Sequence, residues 1–211
     1  MGAYVRLEVL RQLRNREALL FRIALPAALF VFFRAALVED KPSGSLPPDA
    51  DAMVVFAVLG TLLSGIFASG PPLAQERASG WLRQLRAMPL PASSAIAGKV
   101  AAAMAFALPS VALVLVAAAL TQGVRFSAGT WLELGLVLWV AAAPFAAIGV
   151  VIGLAISDPE AAQGAASAAI IVLWVFGGML TEPSDLPQAL ETLAHGLPTT
   201  GAAELGWAAV R

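Results

Sequence analysis

Residues 74–99 read AQERASGWLRQLRAMPLPASSAIAGK, the longest polar interruption between two strongly apolar runs in the chain. Charge is scarce elsewhere, yet this stretch carries Glu76, Arg77, Arg83, Arg86 and Lys99. At helical period Ala74, Ala78, Trp81, Leu82, Leu85 and Met88 fall on one side, and Gln75, Glu76, Ser79, Arg83 and Arg86 on the other. The pattern predicts an interfacial helix over residues 74–88. It should end at Met88-Pro89-Leu90-Pro91, because proline removes a backbone donor and clashes with the preceding turn. Such a helix lies along a membrane surface and offers its charged side to water.

The flanks set the fold class. Hydrophobic residues fill 59% of the 211 positions and charged residues 13%, against roughly 45–50% and about 25% in soluble domains. An all-α, polytopic integral membrane bundle follows. The first run long enough to span covers residues 18–38 and reads as an uncleaved anchor, being too long for a signal-peptide core. An acidic, proline-rich loop, EDKPSGSLPPDAD, occupies residues 39–51. Further spans are expected over 52–70, closed by Pro71-Pro72; over 96–120, with Pro109 as a kink; over 131–156, with Pro144 and a Gly149-xxx-Gly153 pair; and over 161–180. That makes five. Residues 1–16 form a basic surface helix whose apolar side is Ala3, Leu7, Leu10 and Leu13, with Arg6 and Arg14 intruding on it.

Positive charge orients the bundle. Arg6, Arg11, Arg14, Arg16 and Arg22 lie before or at the start of the first span. Arg77, Arg83, Arg86 and Lys99 lie between the second and third, whereas the opposite loops offer mainly Lys41 and Arg125. The positive-inside rule therefore puts the N-terminus and residues 74–88 in the cytoplasm of a multi-pass inner-membrane protein. Asp158 and Glu160 then close a cytoplasmic turn. The outer region 184–210 should form two short helices. Ser184 or Asp185 would cap the first, and Thr199 or Thr200 would begin the second, with Leu205 and Trp207.

Several kinds of chemistry lack their residues. The chain has no cysteine and His195 is its single histidine, so neither disulfides nor a zinc or iron centre is expected. The net charge of −1 gives no general attraction for nucleic acid. Ion-coupled carriers need carboxylates or histidines buried mid-membrane, and Glu17, Arg22, Lys99 and Glu133 all sit near span ends. The serines Ser64, Ser69, Ser110 and Ser167 are isolated, without a base or paired carboxylates. Residues 93–100, SSAIAGKV, lack the first glycine and closing Ser or Thr of a phosphate-binding loop. If ATP drives this protein, another subunit hydrolyses it.

The stretch from Gln75 to Leu90, followed by Gly98-Lys99, resembles the E-R-x-x-G-x-L-x-x-L-R-x-x-P-L … G-K signature of ABC-2-type transporter permeases. The basic first helix, the acidic outer loop and the Leu-Pro-Thr-Thr at residues 197–200 fit the same pattern. The resemblance implies a coupling region seated on an ATP-binding cassette ATPase, with two permeases and two ATPases per transporter. ATP and magnesium would then belong to the partner, with no cofactor in this chain. The matching positions are Glu76, Arg77, Gly80, Leu82, Arg83, Arg86 and Lys99. Gly80 would allow close approach of the partner backbone. By the same resemblance the second and fifth spans line the path of a hydrophobic or amphipathic substrate leaving the cytoplasm, with Phe56, Phe67, Trp174 and Phe176 as contacts. The family implies a sixth span after the outer helices. A haem-exporting relative from cytochrome maturation and a non-transporting scaffold or immunity protein are the alternatives. Substrate-stimulated ATP hydrolysis separates the last from a transporter.

Overall fold

The computed structural model describes residues 2–36, 47–80, 92–177, 179, 192–194 and 196–211. In chain order its helices are α1 (Gly2–Leu13), α2 (Arg16–Ala36), α3 (Pro48–Ala78), α4 (Ala92–Thr121), α5 (Ala128–Val140), α6 (Ala142–Ala155), α7 (Pro159–Phe176) and α8 (Pro198–Val210). No strand occurs among the described residues. Four segments are long and apolar enough to cross a bilayer: α3, α4 from Ile96, α5 with α6 as one path, and α7. Helix α2 has 21 residues, about 31 Å at 1.5 Å per residue and so close to a bilayer core in length. Leu113, Val116, Leu136, Val140, Val151 and Ile171 point outward, as a lipid-facing surface requires.

Helix α3 is the axis. Every residue from 57 to 70 is buried, with α2, α4, α6 and α7 packed around it. Its contact with α6 depends on small residues. A Cβ on Gly70 would stand 2.9 Å from the Gly149 carbonyl oxygen, and one on Gly153 would stand 2.5 Å from that of Gly70. Ser69 Oγ lies 2.8 Å from the Gly65 carbonyl oxygen of its own helix and 3.0 Å from that of Ala146. Close backbone approach is how helices associate where lipid tails are as apolar as leucine. The Gly149-xxx-Gly153 pair is thus an intramolecular seam.

The sequence-based boundary at Pro71-Pro72 is overturned. Helix α3 runs through both prolines to Ala78, so residues 74–78 are its last turn and not the start of a separate interfacial helix. Pro72 has no N–H for the carbonyl of Ala68 four residues back. The side chain of Gln12 takes that place, its Nε2 donating to Ala68 O at 2.9 Å. Pro26 inside α2 is accommodated in the same way: Ser110 Oγ on α4 donates to the Arg22 carbonyl at 3.0 Å. Neighbouring helices re-satisfy what proline frees.

The stretch 131–156 is divided rather than continuous, with Ala141 as a turn between α5 and α6 and Pro144 three positions on. Ser127 caps α5 through Thr130 N, and Asp158 caps α7 through Ala161 N at 2.7 Å, with Pro159 at the first helical position. Helix α8 starts one step earlier than expected, with Leu197 in the cap position and Pro198 next. Thr199 and Thr200 are therefore not caps but buried contacts. Thr200 Oγ1 donates to the Ala194 carbonyl at 2.6 Å and lies 3.2 Å from that of Gly177. Gly206 seats α8 against Val54 of α3 and Leu138 of α5. The expected caps Ser184 and Asp185 lie outside the described residues.

Candidate functional site

The polar centre of the molecule is a buried ion cluster where the C-terminal end of α3, the N-terminal part of α4, and α1 converge. Lys99 Nζ lies 2.7 Å from Glu8 Oε1 and 2.7 Å from Glu76 Oε1. Arg11 Nη1 reaches the same Glu76 oxygen at 2.7 Å. Gln12 ties the group together, donating to Glu8 Oε1 at 3.1 Å and to Ala68 O, while accepting from Arg22 Nη1 at 2.9 Å. Lys99 and Glu8 are each 1% exposed and Glu76 is 3% exposed. Glu76 Oε2 is buried without a hydrogen-bond partner among the described residues.

Two carboxylates face one ammonium and one guanidinium, so this quartet is neutral. That balance lets Glu8, Glu76 and Lys99 leave water, with the half-exposed Arg11 closing the group from the solvent side, since an unpaired buried ion carries a penalty of several kcal/mol. Burial would raise the Glu8 pKa, but the Lys99 ammonium, its hydrogen bond, Arg11 and Gln12 outweigh burial and hold it below the ordinary 4.5. A depressed carboxylate adds stability that is present above its unfolded pKa and is lost as pH falls through its folded one. The detergent-solubilised protein should therefore melt at progressively lower temperature as pH drops below 4.5. Glu8→Gln should shallow that acid-side slope. An unchanged slope in Glu8→Gln would mean that other carboxylates set it.

These contacts correct the sequence reading of the charged positions. Glu76 does not lie on a water-facing side; it is internal, because Lys99 and Arg11 supply the partners that water would otherwise provide. Arg77 turns to α6 and donates to the carbonyl oxygens of Gly153, at 3.1 Å, and Leu154, which satisfies acceptors left open at that helix end. Gly80 follows the end of α3 with φ at 76°, a conformation L-residues adopt at a cost. It ends the helix, and a side chain there would strain the backbone whatever lay opposite. Leu82, Arg83 and Arg86 lie outside the described residues, as does His195. Lys99 is brought together with Glu76, across the connecting segment.

The four aromatic candidates separate. The Phe56 ring lies 6.0 Å from Trp174 on α7, 6.1 Å from Phe30 and 5.7 Å from Phe33 on α2. Phe67 packs edge-on to Phe21 at 6.2 Å and is buried. Phe176 is half-exposed. Phe56 and Trp174 thus share one aromatic cluster on the α2–α3–α7 side, and Phe67 belongs to another part of α3.

Glu8, Arg11, Gln12 and Arg22 are the residues of this centre that sequence reasoning did not select. One signal was present: Glu8 is the single acid in a basic segment, four residues before Gln12 and so on the same helical face.

The chain matches the family model described as ABC-2 type transporter over residues 1–206. It is 27% identical over 206 residues to a Bacillus subtilis (strain 168) protein named "Putative transport permease YvfS", an alignment covering 97% of this chain and 82% of that one. No solved structure matches the chain. The family match spans both ion-paired ends of the connecting segment and every apolar helix, and the chain belongs to the ABC-2 type transporter family as a multi-pass transport permease.

Proposed function

We propose that this permease is the membrane-spanning half of an ATP-driven exporter, with ATP hydrolysed by a separate cassette subunit seated on residues 74–88 at the cytoplasmic face. A second permease copy completes the pathway. The observation that carries this reading is the ion cluster. It fastens the two helices that enter and leave the connecting segment to each other through Glu76 and Lys99, while Arg77 fastens the same helix end to α6. A push on the segment is then passed to three helices as a rigid unit, which is what alternating access by rigid-body motion requires. The Phe56–Trp174 cluster, shared by α3 and α7, favours a hydrophobic or amphipathic substrate.

Two measurements test the assembly and its orientation. The purified permease alone should neither bind nor hydrolyse ATP, and it should co-purify with a cassette ATPase whose turnover rises with substrate; nucleotide binding by the isolated chain contradicts the division of labour. Because the chain has no cysteine, single cysteines report topology directly. Thr121→Cys, at the far end of α4, should react with an impermeant thiol reagent in intact cells, and Ser79→Cys, beside the end of α3, should react only after lysis. The reverse pattern inverts the orientation.

A further inference from the structure

Glu8, Glu76, Lys99 and Arg11 balance one another, whereas Arg22 beside them has no acid. Its Nη1 donates to Gln12 Oε1 at 2.9 Å, a neutral acceptor, and no acidic side chain among the described residues pairs with it. Gln12 has nothing more to offer, since its Nε2 is committed to Glu8 Oε1 and the Ala68 carbonyl. The Arg22 backbone is equally fixed, its carbonyl accepting from Ser110 Oγ on α4. Arg22 lies six residues past the start of α2, about 9 Å along an axis that rises 1.5 Å per residue, and is only partly exposed. A cation at that depth of a bilayer is costly unless it is paired. Three and seven residues on, Leu25 and Leu29 continue the same side of α2 toward the bilayer centre, and both stay partly exposed.

We propose that Arg22 is the headgroup site for an anionic amphiphile, whose phosphate accepts from the guanidinium and whose acyl chain runs along Leu25 and Leu29. Charge fixes the head. The guanidinium keeps N–H groups beyond the one given to Gln12, and their planar fork matches two phosphate oxygens at once. Depth fixes the tail. Side chains on a helix lean toward its N-terminus, and the contact with Gln12 on α1 draws the guanidinium the same way, so the charge sits at headgroup level while the leucines lie among acyl chains. A free inorganic anion would meet the charge and gain nothing from the leucines. The amphiphile is either a resident lipid of the leaflet or the cargo of the exporter proposed above, and the recognition chemistry is shared. The site itself needs neither an ATPase nor a direction of transport.

The test uses the purified permease alone, in a neutral detergent. By native mass spectrometry the parent should retain one phosphatidylglycerol in preference to phosphatidylcholine. Dodecyl phosphate should compete for that place, and inorganic phosphate should not. Arg22→Gln should weaken phosphatidylglycerol binding by about fivefold or more, one arginine's share of the attraction to an anionic lipid, with Arg22→Lys between, since it keeps the charge without the fork. Stability should move the other way. Stripped of lipid, Arg22→Gln should melt no lower than the parent, because it removes a charge that no acid balances. Added phosphatidylglycerol should raise the melting temperature of the parent and leave that of Arg22→Gln unchanged. Three results overturn the headgroup assignment: Arg22→Gln melting well below the lipid-free parent, equal lipid retention by parent and both Arg22 variants, or an equal loss in Arg14→Gln, at an exposed arginine near the same end, which would make the attraction diffuse. Full competition by inorganic phosphate overturns the tail. Reconstitution with a cassette ATPase separates the sources: labelled phosphatidylglycerol that is cargo crosses to the other leaflet with ATP, and a resident lipid stays at one per permease. Either source satisfies the site, and a permease that exports nothing leaves the binding result standing.

Discussion

Lys99→Met should lower the unfolding free energy by about 3–5 kcal/mol, the usual consequence of removing one partner of a buried ion pair. The ammonium lies within 2.7 Å of both Glu8 and Glu76, and methionine supplies similar bulk without charge. Two carboxylates are then left together with only Arg11 to balance them, and Arg11 contacts Glu76 far more closely than Glu8, at 2.7 Å against 3.9 Å. The defect is electrostatic and not steric, so neutralising the acids should reverse it. Lys99→Met combined with Glu8→Gln and Glu76→Gln should recover most of the melting temperature in detergent. Its ATPase coupling should remain poor, because the amide groups no longer hold α1, α3 and α4 as firmly. If Lys99→Met melts like the parent, the cluster is not a fixed element and the rigid-unit account of coupling fails with it. If the triple variant is no better than Lys99→Met, the ammonium acts through packing rather than charge.

The apolar helices were readable in the sequence because their signal is local: length and hydropathy suffice to mark residues 52–70, 96–120, 131–156 and 161–180. The Gly149-xxx-Gly153 pair was readable for the same reason, since small residues at one helical spacing already imply close approach. Two errors share one cause. Pro71-Pro72 reads as a stop because the lost donor is a local fact, whereas its replacement by Gln12, 56 residues from Ala68, is a tertiary one. Glu76 reads as water-facing, because helical period sorts charge outward by default, and Arg77 reads by motif as a coupling contact. Their actual partners, Lys99, Arg11 and the end of α6, come from three other helices. Gly80 reads as a place of close approach, whereas its role turns on its own backbone angle. The connecting segment's charges could be found by motif, but what they touch could not.

The same distinction between local spacing and tertiary fit separates two glycines of the apolar helices. Gly149→Leu should be among the most damaging substitutions in the chain, and Gly164→Ala among the mildest. A Cβ on Gly149 would lie 2.1 Å from Ser69 Oγ and 2.7 Å from the Ile66 carbonyl oxygen. The hydroxyl can rotate away, though only by giving up its approach to Ala146, while the carbonyl belongs to the backbone of the central helix and cannot yield without moving α3. The isobutyl group of leucine adds further atoms to the same gap. Overpacking a filled core typically costs about 1–3 kcal/mol, and backbone against backbone should put this site at or above the top of that range. A Cβ on Gly164, on the outward side of α7, would meet nothing within 4 Å. Alanine there restricts the unfolded chain and favours the helix, a gain of about 0.5–1 kcal/mol. Folded yield in detergent and thermal unfolding give the comparison, with Gly149→Ala as an intermediate step that isolates the Cβ contact from side-chain bulk. Should Gly149→Leu melt within a degree or so of the parent, α6 is not seated on α3 as described. Arg77 would then have no fixed helix end to hold, and α6 would drop out of the unit that carries motion from the connecting segment into the bundle.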